Sequence, residues 1–181
     1  RPPGGPPKSV RILQPDGQLE CSWHEVAPAL GLTTARSGEY LNMRYFGHPV
    51  HEYHVLVPRH RGACAVVRFE PQTNPMAARV VDLWGKPEFV ASLLADTAAY
   101  ATDRGASFLD YYTTSSVFEK SLNEAGFDAL VGDAAWQVPY LFNPPERRTR
   151  YNERFAARLI GLPDGGPRLL DECYFVKGDG D

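Results

Sequence analysis

The side chains able to do acid–base work cluster in the middle of the chain. Asp82 sits inside an apolar run, Ala78-Arg-Val-Val-Asp-Leu-Trp-Gly85, and Glu70 closes another that begins at Ala63. Tyr111 and Tyr112 are adjacent and run into Thr113, Thr114, Ser115 and Ser116. A shielded carboxylate suits a general base and a phenol a general acid. Strict alternation puts Val80, Asp82 and Trp84 on one face and Val81 and Leu83 on the other. An acid among apolar neighbours is costly without a partner or solvent, so a structural hydrogen-bond role competes with catalysis for Asp82. Glu70 is expected to be exposed in a loop. Tyr111 and Tyr112 point to opposite faces, one into the core and one towards a cleft. Capping of the next helix accounts for one of the serines.

His48, His51 and His54 resemble a metal cluster only on paper. In an extended segment His48 and His54 share a face and His51 opposes them, so no metal site is expected. A histidine lining a cleft would instead serve as a proton shuttle near neutral pH. Asp179 and Asp181 read as a tail rather than a cation site. There is no G-x-S-x-G elbow, P-loop or dinucleotide fingerprint.

The elements that position these residues follow from pattern and punctuation. Val10 to Leu13 reads as a strand, followed by a Pro15-Asp16-Gly17 turn and a return strand over Leu19 to Trp23. Ser22-x-x-Glu25 resembles a capping box for a short helix closed by Gly31. Ser37 to Tyr45 reads as a further helical turn with Tyr40, Leu41 and Arg44 on one face. His54 to Val57, Ala63 to Phe69 and Ala78 to Trp84 read as strands, the first two joined by a turn at Arg61-Gly62 and therefore antiparallel. Pro87 to Arg104 is the clearest helix, with Pro87 suited to its first turn and Gly105 to its stop. Ser107 to Tyr112 is then a strand, and Ser116-x-x-Glu119 caps a helix ending at Gly126. Leu130 to Val138 reads as a strand, Glu146 to Ile160 as a helix and Cys173 to Val176 as a short strand. The strand–helix–strand crossover implies a parallel pair added to hairpin-linked strands, and so a mixed α/β (α+β) sheet with helices on both faces.

A chain of 181 residues, 43% hydrophobic, suits one domain with a real core. Residues 1–9 read as a linker or trimmed boundary and 10–181 as a single domain cut from a larger parent. The net charge of −3 and the absence of a basic cluster disfavour nucleic acid. Arg147, Arg148, Arg150 and Arg154 alternate with acids and read as a solvated helix face. The three cysteines, Cys21, Cys64 and Cys173, are too scattered for a disulfide framework or zinc site. That suggests a reducing, cytoplasmic setting, with Cys64 as a buried small hydrophobe. No apolar stretch is long enough for membrane insertion.

The order of three strands, a long helix, a strand, a second helix and a further strand resembles the GNAT acyltransferase fold. The telling pieces are Ala78 to Gly85 before the long helix and Asn123-Glu-Ala-Gly-Phe127 after the second. A narrower resemblance rests on Arg36-x-x-Glu39-Tyr-Leu-Asn-Met-Arg-Tyr45, His48-Pro49 and Pro139-Tyr-Leu-Phe-Asn-Pro144. These segments, with Lys177-Gly-Asp-Gly-Asp181, look like GNAT-like proteins of polysaccharide and cell-envelope biosynthesis. Such proteins often carry two GNAT-like halves, as Fem-type peptidyl transferases do, and this chain would be the C-terminal half.

The resemblance implies N-acyl transfer from acetyl-CoA to an amino-sugar or related amine. Asp82 or Glu70 would be the base and Tyr111 or Tyr112 the acid, with Trp84, Gly85 and Lys86 at the cofactor. It also implies a second half or a homo-oligomer as companion. One departure stands out. The fold's Q/R-x-x-G-x-G/A loop, whose backbone N–H groups hold the pyrophosphate, is replaced by Trp84-Gly85-Lys86-Pro87, with one glycine and a proline that lacks a donor. Two further readings therefore stand beside the enzyme: a non-catalytic module that binds a partner or supports a sister domain, and a Fem-like transferase with a non-CoA donor.

Overall fold

The computed structural model describes residues 7–15, 23–27, 33–59, 62–71 and 76–129, together with the backbone at 141–142 and 145–146. Five strands form the main sheet: β1 (Val10–Leu13), β2 (Tyr53–Pro58), β3 (Ala63–Glu70), β4 (Ala77–Gly85) and β5 (Phe108–Tyr111). Their spatial order is β1-β2-β3-β4-β5. The pairs from β1 to β4 are antiparallel, and β4 and β5 are parallel. The long helix α3 (Pro87–Asp103) makes the crossover between the parallel strands. Short helices α1 (Trp23–Val26) and α2 (Gly38–Leu41) precede β2, and α2 runs directly into a wider π turn over Asn42–Phe46. Helix α4 (Glu119–Glu124) follows β5, and β6 (Leu141–Phe142) pairs with β7 (Pro145–Glu146).

Burial explains the strand compositions. Every residue of β4 is buried, and β3 is buried at all positions but one. Strands covered on both faces read as continuous apolar runs rather than alternating ones. Helix α3 covers one face, burying Val90, Leu93, Leu94, Thr97, Tyr100 and Ala101. The buried Thr97 hydroxyl is satisfied by donating to the Leu93 carbonyl at 2.7 Å. The other face is covered from α1, where Trp23 meets Trp84 edge-on at 6.4 Å, and from the π turn, where Tyr45 meets Tyr53 at 5.1 Å. The fold is thus a mixed α+β sheet with helices against both faces. Among the described residues, no helix is long and apolar enough to cross a membrane. Cys64 is buried within β3, in keeping with its apolar run.

Several local expectations change. Trp23 opens α1 instead of ending a return strand, and β1 takes β2 as its partner, with Arg11 opposite Val57. Strand β4 carries a bulge: Val66 faces Asp82 while Val67 faces Val80, which leaves Val81 as the extra residue. Cross-strand partners share a face and neighbours along a strand do not, so Val80 and Asp82 lie on opposite faces. Strict alternation had put them together.

The capping chemistry also differs. The Ser37 side chain caps α2, accepting from the Tyr40 N–H at 3.1 Å. Before α4, the Glu119 N–H reaches the Ser116 carbonyl, while the Ser115 hydroxyl accepts from the Val117 N–H at 3.2 Å. Glu146, expected to open a helix, belongs to β7. The Ser22 capping box, Gly31, the strand over 130–138, the rest of the 146–160 helix and the strand over 173–176 lie outside the described residues.

Candidate functional site

The bulge and the π turn together build a sealed polar cluster on the face opposite α3. Arg36 Nε donates to both oxygens of Asp82, at 2.9 and 3.1 Å. The Tyr45 hydroxyl donates to Oδ2 at 2.9 Å, and the Leu83 N–H donates to Oδ1 at 3.0 Å. Arg36 also holds the Thr33 hydroxyl at 2.8 Å and the Thr34 carbonyl at 2.6 Å, and its guanidinium lies 5.3 Å over the Trp23 ring. Arg36 and Asp82 are both 0% exposed. Burial and the neighbouring Asp82 charge push the Tyr45 phenol far above its ordinary value, so its proton stays on the oxygen. Each Asp82 oxygen accepts two of these bonds, and an amine would reach it only if the α2 segment moved away. The cluster clamps α2 and the π turn onto the sheet.

The other acid–base candidates do not join it. Glu70, expected to be exposed, is 2% exposed, because Arg68 two residues earlier on the same strand face holds its Oε1 at 2.7 Å. Counted along β3 from Val66 to Glu70, it lies roughly 13 Å from Asp82 at about 3.3 Å per residue. Tyr111 pairs with Val80 and shares the α3 face, whereas Asp82 is on the other. Tyr111 and Tyr112 are both half-buried, and Tyr111 packs against the core.

The expected cofactor segment is engaged within the protein. Trp84 is fully buried, and its indole N–H has no partner among the described residues. Gly85 has φ +147°, and a Cβ there would sit 2.5 Å from the Ala63 Cα and 2.6 Å from the Gly62 carbonyl oxygen. Its lack of a side chain is required by close packing on β3. The Lys86 N–H donates to the Gly62 carbonyl at 2.8 Å, and its ammonium meets Glu25 at 3.1 Å. At the start of α3, the Phe89 N–H is turned back to the Lys86 carbonyl at 2.9 Å, and Ser121 of α4 donates to the Pro87 carbonyl at 3.2 Å.

A cleft of about 390 Å³ opens at the other end of β4, where β2 begins and α3 ends. Glu70, His54, Phe69 and Arg104 line it. The Tyr100 hydroxyl lies 2.9 Å from His54 Nδ1, and His54 Nε2 lies 3.5 Å from Glu52. A carboxylate only accepts, so these partners assign the proton to Nε2 and make Nδ1 the acceptor for Tyr100. Burial, and then the Arg104 charge, lower the His54 pKa below its usual value, against a smaller opposing pull from Glu52. Burial raises the Tyr100 phenol, and Arg104 acts against that shift.

The lowered His54 pKa gives stability a pH dependence. Between the folded and unfolded pKa values the unfolded chain binds more protons, so the contribution is full above about pH 6.5 and falls as the pH drops through the folded value. Chemical denaturation from pH 8 to 5 is expected to show this decline. His54→Gln is expected to flatten that part of it, and an unchanged profile would contradict the assignment.

Sequence reasoning weighed His54 within a histidine group, as a metal ligand or as a cleft-lining proton shuttle, and passed over Arg104 and Tyr100 as its neighbours. The pairing of His54 with Tyr100 spans 46 residues and crosses from β2 to α3, so no local pattern announces it. The Tyr100–Arg104 spacing at the helix end was the available signal. His48 and His51, expected on opposing faces, stack at 5.1 Å because the chain bends there, with His48 Nδ1 accepting from the His51 N–H at 2.9 Å.

Comparison with protein-family models, curated proteins and solved structures returns no match. The class defined by the fold and its sites is a mixed α+β domain with a clamped polar centre and a separate small cleft.

Proposed function

We propose that this chain is a GNAT-like module of a polysaccharide or cell-envelope system that binds a small ligand or partner, without carrying acetyl-CoA in the usual mode. The observation that carries the reading is the closed connection between β4 and α3. Gly85 packs on Ala63, Lys86 is tied to Gly62 and Glu25, and Pro87 offers no N–H. A pyrophosphate nest needs free, convergent backbone donors at that point. The succession of antiparallel strands, crossover helix and parallel strand supports the GNAT-like part of the proposal. The cytoplasmic setting, and a second half or second copy as companion, come with the resemblance and belong to the same proposal.

Calorimetric titration with acetyl-CoA, with free CoA as control, tests the reading. The expected result is no saturable heat at millimolar cofactor. Saturable binding at micromolar strength would overturn it and return Asp82, Glu70, Tyr111 and Tyr112 to the acyl-transfer roles implied by the resemblance.

A further inference from the structure

The turn that leads into β2 is closed by one imidazole. His48 Nδ1 accepts from two backbone N–H groups, that of Val50 at 3.2 Å and that of His51 at 2.9 Å. Only an unprotonated ring nitrogen accepts, so the proton of the closed turn sits on Nε2. Asn and Asp side chains close turns in the same way, through an oxygen that accepts from the backbone two residues on. A histidine in that place differs in one respect, because its acceptor nitrogen takes up a proton near neutral pH. The turn also forms part of the cleft, which Val50 and His51 line. Val50 is 75% exposed, so apolar packing of its side chain does little to hold this rim, and the two bonds to His48 carry that task.

We propose that the turn over residues 48–51 is an acid-released latch on the rim of the cleft. Neutral His48 holds Val50 and His51 in place. A proton on Nδ1 turns the acceptor into a donor and expels both backbone N–H groups. The ring of His51 stacks on that of His48 at 5.1 Å, so charging both sets like charges side by side and drives the rings apart. Among the described residues, Tyr53 of β2 meets the two rings edge-on at 5.3 and 6.1 Å, and Tyr45 behind it keeps its proton. The charged groups of the cleft are engaged elsewhere: Glu52 lies against His54, Arg68 and Glu70 pair at 2.7 Å, and Arg104 lies over Tyr100 and Phe69. The sign follows from the neutral acceptor. Closure is present while the ring is neutral and is lost as the pH falls through its titration. Losing two backbone bonds raises the open-to-closed ratio about tenfold or more, which widens the way to His54. The latch does not depend on the acetyl-CoA reading, because the cleft and the Gly85 connection lie at opposite ends of β4.

The test is a proton titration of the chain from pH 8 to 5, followed by nuclear magnetic resonance. The ring nitrogens of His48 report its protonation and tautomer, the Val50 amide reports the turn, and ring-to-ring contacts of His48 with His51 and Tyr53 report stacking. At pH 8 the expected state is an unprotonated Nδ1 with the ring contacts present. On acidification the His48 ring and the Val50 amide are expected to move with one midpoint while the contacts vanish. An unchanged far-ultraviolet circular dichroism signal over the same range separates local release from global unfolding. His48→Asn keeps a side-chain acceptor for the turn and takes up no proton, so its Val50 amide is expected to hold its pH 8 position down to pH 5. His48→Ala removes the acceptor, and its Val50 amide is expected to sit at pH 8 where the parent arrives at pH 5. The proposal is overturned if the His48 ring charges while the Val50 amide and the ring contacts stay, if the ring remains neutral down to pH 5, or if the Asn variant moves as the parent does. None of these outcomes bears on acetyl-CoA binding, so the two readings fail separately.

Discussion

Asp82→Ala is expected to lower the free energy of unfolding by about 3–5 kcal/mol, the range for breaking one side of a buried ion pair. The reason is what remains. Arg36 keeps its charge at 0% exposure, and the Tyr45 hydroxyl and Leu83 N–H lose their acceptor. Native domains hold only about 5–15 kcal/mol in total, so this one change removes a large share. Removing the other partner, by Arg36→Ala, strands the carboxylate and costs a similar amount. The double variant Arg36→Met/Asp82→Leu should recover most of the loss, because two apolar side chains need no pairing. Urea unfolding reads all three as midpoint shifts. A single-variant loss below about 1 kcal/mol would show that the pair is solvated, as surface pairs are.

Gly85→Ala is the second large effect, and it separates two explanations of the same glycine. The added methyl meets backbone, at 2.5 Å from the Ala63 Cα and 2.6 Å from the Gly62 oxygen, which cannot turn away as a flexible side chain would. Overpacking costs about 1–3 kcal/mol and a side chain at strained positive φ a further 1–3, so a loss of roughly 2–6 kcal/mol is expected. A glycine kept open for a phosphate would give a variant that folds normally and loses only ligand binding. Lys86→Ala, at a half-exposed pair with Glu25, is the contrasting control, with at most about 1 kcal/mol expected.

The parts of the fold legible in the sequence were those set by local chemistry. Val10 to Leu13 carries its own β-branched pattern, and Pro87 and Gly105 mark the ends of α3 by what each can and cannot donate or tolerate. The parallel placement of β5 followed from the crossover length. The bulge at Val81 was hidden because Val80 and Val81 are both apolar, so an extra residue leaves the hydropathy pattern unchanged while reversing a face. Arg36 lies 46 residues from Asp82, and only tertiary packing brings them together. Glu70 was readable in principle, since Arg68 sits two residues away on the same strand face. The cleft depends on the ends of three strands and a helix meeting, which no single segment encodes.

The closed connection after β4 is tested most directly by following the backbone amide resonances of Gly85, Lys86 and Phe89 as acetyl-CoA is added to millimolar concentration. All three are expected to stay in place, with Gly85 packed on Ala63, the Lys86 N–H held by the Gly62 carbonyl and the Phe89 N–H held by the Lys86 carbonyl. Saturable shifts of these amides would contradict it and show that the start of α3 opens to hold the pyrophosphate.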